Sequence, residues 1–115
     1  MDILRPEQLI MQAALEVRSA RAELLAGNVA NANTPGYAAR ELKFKDALDR
    51  VLEGGWPQDL DAQAVVAPEN IRYDRNDIDL NQQLSKAYEN SLSYIATLKL
   101  YGDSVGRLRT ATSSN

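Results

Sequence analysis

The chain is predicted to be mainly α, with two long terminal helices forming a coiled-coil-like hairpin and a short extended or helical region between them. Three observations carry this. Residues 6 to 32 contain one glycine, Gly27, and place Ile10, Ala13, Ala14, Val17, Ala20 and Leu24 at helical spacings. Residues 79 to 110 set Leu80, Leu84, Ala87, Ser91, Tyr94, Leu98, Tyr101, Val105 and Leu108 at alternating steps of four and three. Between them "EGGWPQD", residues 53 to 59, is a glycine and proline break. The chain therefore divides into an N-terminal helix segment over 1–33, a turn and variable middle over 34–78, and a C-terminal helix segment over 79–115.

Pro6 sits where a first helical turn tolerates the missing N–H, so the first helix runs from there to about Ala32. Thr34 precedes Pro35 and is pushed away from helical dihedrals, while Gly36 can take a left-handed turn position, so the helix stops there. From Tyr37 an extended lead-in gives way to a short helix carrying Leu42, Phe44, Ala47, Leu48 and Val51. Val65-Val66 and Ile71-Arg72-Tyr73 either pair as a small hairpin or run irregularly, and this middle is expected to be the most mobile part. The second long helix starts at Asp79, whose carboxylate can cap while Gln82 reaches back, and it continues to about Thr110.

The second helix is too apolar for one partner. Tyr88, Leu92 and Ile95 lie beside the Leu80-to-Leu108 seam, widening the apolar arc to roughly 200°, against the ~100° that one packed face needs. Either the excess is the ordinary scatter of exposed apolar atoms, or it meets neighbouring copies. On the first helix Ala22, Ala26 and Ala30 recur at four, beside Gly27 and Asn31, and leave room for another helix to approach closely. Helix propensity alone would also account for those alanines. Asn28 and Asn31 are poor helix formers that can bond the backbone of a turn or a neighbour, or simply mark a helix end.

Composition narrows the chemistry. The 115 residues carry thirteen basic and sixteen acidic side chains, a net charge of −3, so no field draws in nucleic acid. There is no cysteine and no histidine, which removes disulfides, thiolate chemistry and the commonest general base and metal ligand. The acidic run "DRNDID", residues 74 to 79, fails as a calcium loop because its sixth and twelfth positions are Asp79 and Ser85, not glycine and a bidentate acid. No serine has an evident activating base, Lys86 lies on a polar helical face, and Gly54-Gly55 is no phosphate cradle. No enzyme, cofactor or metal is expected. The N-terminus lacks the charge and apolar pattern of a cleavable secretory signal, and no stretch approaches the roughly 20 apolar residues of a membrane span.

Residues 18 to 48, "RSARAELLAGNVANANTPGYAARELKFKDAL", resemble the N-terminal segment of bacterial flagellar rod and hook proteins, whose helix end is rich in alanine and asparagine and runs into Thr-Pro-Gly and an aromatic residue. Ala39-Arg40, Leu42-Lys43-Phe44 and the ending from Arg75 to Ala111 are similar to proximal rod members of that family. At Gln82, Gln83 and Leu84 the chain departs from it, with an uncharged stretch where relatives often carry charges and a methionine. The resemblance implies a structural subunit of a helical tube, joining the membrane ring to the distal rod and hook. Its terminal helices would pack through Ala22, Leu24, Ala26, Ala30, Leu80, Leu84, Ala87, Tyr94, Leu98, Tyr101, Val105 and Leu108. Asn28, Asn31, Thr34, Pro35, Gly36, Tyr37 and Arg40 would form the assembly motif at the corner. Implied partners are further copies, other rod subunits, the membrane-ring and ring-to-rod junction proteins and the flagellar type III export apparatus, with no nucleic acid and no membrane insertion. The implied location is the periplasmic rod of the basal body, reached without a cleaved signal. Another rod subunit, or a cytosolic helical-hairpin adaptor, are the alternatives.

Overall fold

The computed structural model describes residues 5–55, 64–66 and 80–113. Helix α1 spans Pro6–Ala30, strand β1 Arg40–Leu42, helix α2 Phe44–Leu52, strand β2 Ala64–Val66 and helix α3 Leu80–Ser113. Pro6 occupies the first turn of α1, and the Gln8 carboxamide accepts the Arg5 N–H at 2.9 Å, satisfying a donor that the first turn leaves free. At the other end Asn31 is the C-cap. The expected capping box at Asp79 and the acidic run 74–79 lie outside the described residues.

The two long helices form an antiparallel hairpin: Gln8 at the start of α1 bonds Ser104 late in α3, and Asn28 near the end of α1 bonds Gln83 early in α3. The molecule measures 66 × 25 × 17 Å, a rod whose length is set by the ~51 Å of a 34-residue helix.

The main apolar cluster is small and lies between α1 and α2, while Ala13 and Leu25 of α1 are buried outside it. Val17, Leu42 and Ala47 are buried in this cluster, with Ala20, Leu24, Phe44, Leu48 and Val51 packed around them. The Arg18 guanidinium sits 4.3 Å from the Phe44 ring centroid, closing the edge of this core with a cation–π contact. A second cluster, Ala32 and Ala39 under Tyr37, lies at the corner. Strands β1 and β2 pair antiparallel, with Arg40 opposite Val66 and Leu42 opposite Ala64. Val65-Val66 therefore takes the extended lead-in to α2 as its partner; Ile71-Arg72-Tyr73 lies outside the described residues.

The rotation of α3 about its own axis differs from the expected one. Gln83, Asn90 and Ser104 are buried, and Ala87, Tyr94, Thr97, Tyr101 and Leu108 are half-buried between them, so the face toward α1 again steps by four and three. It shares Ala87, Tyr94, Tyr101 and Leu108 with the expected seam but has Gln83, Asn90, Thr97 and Ser104 in place of Leu84, Ser91, Leu98 and Val105. Leu80, Leu84 and Leu98 are 43%, 48% and 46% exposed and do not face α1 within the chain. The physical reason lies in α1, which presents Gln8, Gln12 and Asn28 to its partner. Leucines opposite those amides would leave them buried without a partner, a cost of about 1–3 kcal/mol for each group.

Leu42, 2% exposed at the junction of α1 and α2, is the test of that small core. Leu42→Ala is expected to destabilise the chain by about 2–3 kcal/mol, measured by urea unfolding followed by circular dichroism.

Candidate assembly site

The corner after α1 is built from its own local chemistry. Asn31 donates its side-chain N–H to the Gly27 carbonyl at 2.9 Å while its backbone N–H bonds the same oxygen at 3.0 Å, which closes the last helical turn. Thr34 N–H bonds the Asn31 carbonyl, and the Thr34 hydroxyl reaches Asn31 Oδ1 at 3.3 Å. Tyr37 N–H then returns to the Thr34 carbonyl at 3.2 Å. With Pro35 second and Gly36 third at a φ of +79°, these four residues make a type II turn, the turn that requires a left-handed residue at its third position. Pro35 and Gly36 are exposed, whereas Tyr37 folds back on α1. A Cβ built on Gly27 would lie 3.8 Å from the Tyr37 hydroxyl, an ordinary contact distance, which places the ring's tip beside the last turn of α1.

Asn28 ties three parts together. Fully buried, it donates to the Arg40 carbonyl at 2.7 Å, accepts the Arg40 N–H at 3.0 Å, and donates to Gln83 Oε1 at 2.9 Å. Its side chain acts on the outer edge of β1 as an adjacent strand would, and it reaches α3 at the same time. One residue along, Glu41 does the same with charge. It accepts two bonds from Arg21 of α1, at 2.9 and 3.1 Å, and lies 3.4 Å from Lys86 Nζ of α3. Burial alone would push the Glu41 carboxyl up, but bonds from Arg21 and the Leu42 N–H, with the charges of Arg21 and Lys86, outweigh it and hold it below the ordinary carboxylate range. The Glu41 bond correspondingly pushes Arg21 up.

The two flanks of the hairpin differ. Lys86 marks the flank occupied by β1, and Leu84 lies about 160° from it around α3. Among the described residues the other flank is uncovered. On it Leu84, Tyr88, Leu92, Ile95 and Leu98 are 46–69% exposed on α3, and Ala22, Ala26 and Ala30 are exposed on α1. A groove of about 280 Å³ runs between the helices there, lined by Ser19 and Ala22 on one side and Ser91, Tyr94 and Ile95 on the other. Leu24 belongs elsewhere, packed against the α1–α2 core, and Val105 is half-buried.

Sequence patterning did not single out Gln8, Gln12, Arg21, Glu41, Asn90 or Ser104. One signal was available: Gln83, Asn90, Thr97 and Ser104 recur every seven residues, all neutral and polar, in step with Ala87, Tyr94, Tyr101 and Leu108. Thr97 bonds the Ser93 carbonyl of its own helix; the other three bond α1.

An antiparallel hairpin with a polar seam, a corner locked by its own hydrogen bonds and one open apolar flank defines a helical structural subunit, one that offers surface for packing. No family model matches the chain. Individual relatives do. It is 31% identical to the flagellar basal body rod protein FlgB of Escherichia coli K12, over all of this chain and 99% of that protein. It is 33% identical to FlgB of Aeromonas hydrophila over 86% of each chain, and 31% identical to FlgB of Salmonella typhimurium over 89% of each. The chain belongs to the FlgB family of flagellar basal body rod proteins.

Asn28→Ala is expected to cost about 2–3 kcal/mol in urea unfolding, because it leaves the Arg40 N–H and carbonyl without their partner. Glu41, with its pKa lowered on folding, contributes stability that is present above the ordinary carboxylate pKa and lost as pH falls through the lowered value. The melting temperature should therefore fall from about pH 6 to about pH 3, and fall less steeply in Glu41→Gln.

Proposed function

We propose that the chain is a structural subunit of the proximal flagellar rod, assembling by docking the open flank of its hairpin against the helices of neighbouring copies and of other rod subunits. The observation that carries this reading is the apolar flank itself. Five large side chains, Leu84, Tyr88, Leu92, Ile95 and Leu98, stand out of the fold in one stripe beside the exposed alanines of α1. Each is worth about 1–2 kcal/mol when its exposed part is buried, so a partner covering the stripe gains several such contributions at once. The alanines leave the groove shallow enough for another helix to lie in it.

The Thr34 to Tyr37 corner serves this assembly by directing the chain away from the helical layer at a fixed angle, with Arg40 held behind it. The reading assigns no catalytic step to the chain. Its partners are further copies, neighbouring rod subunits and the membrane-ring and junction proteins at the base of the tube. Export proceeds through the flagellar type III apparatus. Support for the basal body comes from the relatives, each of which is named a basal body rod protein. Among the described residues no helix is long and apolar enough to cross a membrane.

Leu98→Asp tests the proposal. The position is half exposed in the single chain, so the purified variant should keep its helix content, whereas burial of the carboxylate between subunits would be unpaired. Loss of swimming in soft agar, with the protein still expressed, is the expected result; normal swimming contradicts the assignment. A purified chain that binds one unrelated helix and never incorporates into basal bodies would favour the adaptor.

A further inference from the structure

We infer that the neutral polar residues between α1 and α3 set the register of the hairpin, and through it determine which residues the chain presents on its open flank. Four cross-links made by side chains run along the seam. Gln8 donates to the Ser104 hydroxyl at 2.8 Å, Gln12 to the Tyr101 hydroxyl, Asn90 to the Arg18 carbonyl at 3.0 Å and Asn28 to Gln83 Oε1 at 2.9 Å. Gln8, Asn28, Gln83 and Asn90 are at most 1% exposed, so water cannot replace a lost partner without opening the helices.

An apolar seam with a seven-residue repeat fits nearly as well after a slip of seven, because the same kinds of side chain meet again. The end of the seam away from the corner removes that degeneracy: a slip of seven would bring Asn90 to Asn28 and Thr97 to the Arg18 carbonyl, but it takes the partners of Gln8 and Gln12 away. Sliding α3 by seven residues one way brings Gln8 opposite Ala111 and Gln12 opposite Leu108, neither of which has a side chain that can accept a hydrogen bond. Sliding it the other way carries Asn28 past Leu80, beyond the beginning of α3. Slips of one, two, five or six residues turn the seam well away from α1, and slips of three or four rotate it by about 40–60°. Polar residues at such positions are known to fix alignment at some cost in stability. That cost is visible: Gln83 Nε2 and Asn90 Oδ1 are buried with no hydrogen-bond partner among the described residues. The seven-residue slip would displace Leu84, Leu92 and Ile95 by ~10 Å along the alanines of α1, which breaks up the open groove.

The chain has no cysteine, so pairs can be introduced without background. Leu25 stands three residues before Asn28, and Ala87 four after Gln83, so Leu25→Cys with Ala87→Cys reports the observed register. Leu25→Cys with Tyr94→Cys reports the slipped one. Oxidation of the dilute, purified full chain should give at least about tenfold more intramolecular disulfide at the first pair than at the second, since a slip leaves the buried Gln8 and the half-buried Gln12 without their partners.

In a background of Gln8→Leu, Gln83→Leu, Asn90→Leu and Ser104→Ala, which leaves Asn28 bonded to Arg40, the melting temperature should rise and the two yields should become comparable. A milder background, Gln8→Leu with Ser104→Ala, alters only the end away from the corner and should raise the slipped product several-fold. Exchanging the partners, Gln8→Ser with Ser104→Gln, should keep the wild-type ratio. Equal yields in the wild-type chain overturn the inference, and so does a slipped yield that stays at the wild-type level in the milder background.

Discussion

The constraint on which the fold depends is that α1 brings uncharged polar side chains to its partner and leaves them no water. Gln8 and Asn28 are buried at opposite ends of that helix, and each needs a specific group on α3. Satisfying them decides the rotation of α3: Gln83, Asn90 and Ser104 must face inward, and a helix that turns those residues inward turns Leu84, Leu92 and Ile95 outward. The apolar flank is thus not left over from an incomplete core. It follows from placing the polar residues first.

The short elements complete the arrangement from one side only. Helix α2 and strand β1 cover α1 through Val17, Leu42 and Ala47, and the Arg21–Glu41–Lys86 cluster joins that platform to both long helices. Because this cluster is partly exposed, its worth lies less in net stability than in fixing where β1 sits relative to the hairpin. Asn28 adds directionality, since a carboxamide both donates to and accepts from one peptide unit, and so selects a single orientation of the strand. Together they prevent the platform from reaching around to the other flank, which stays available to partners.

How much of this could be read from residues alone depended on the range of the interaction. The α1 stop, the type II turn at Thr34 to Tyr37 and the short helix after an extended lead-in are encoded within a few residues, by proline, glycine and helical spacing, and all are legible. The pairing of Val65-Val66 with Glu41 and Arg40 was not, because a three-residue strand fits either neighbour equally well and tertiary position decides. The face of α3 was missed for a related reason. An apolar arc wider than one partner can cover leaves the helix's rotation undetermined from its own sequence; the choice is made by amides 55 to 96 residues away in the chain. The seven-residue recurrence from Gln83 to Ser104 held that answer, yet polar residues on a helix are ordinarily assigned to solvent. At the candidate assembly site, the corner residues were recognisable from their motif. The roles of Asn28 as a bridge and of Glu41 as a junction required the third dimension.

The spread of the seam bonds has a mechanical consequence. They are distributed over the length from Gln8 to Asn28, ~30 Å along the axis. A force that slides one long helix past the other loads all of them in parallel, so none yields until the whole set does, and the ion pair at Glu41 resists the same motion. Bending within the plane of the two long helices requires the same sliding and so loads these bonds as well, whereas bending out of that plane strains few of them. The hairpin behaves as a flat bonded strip, stiff edgewise and compliant across its thin direction.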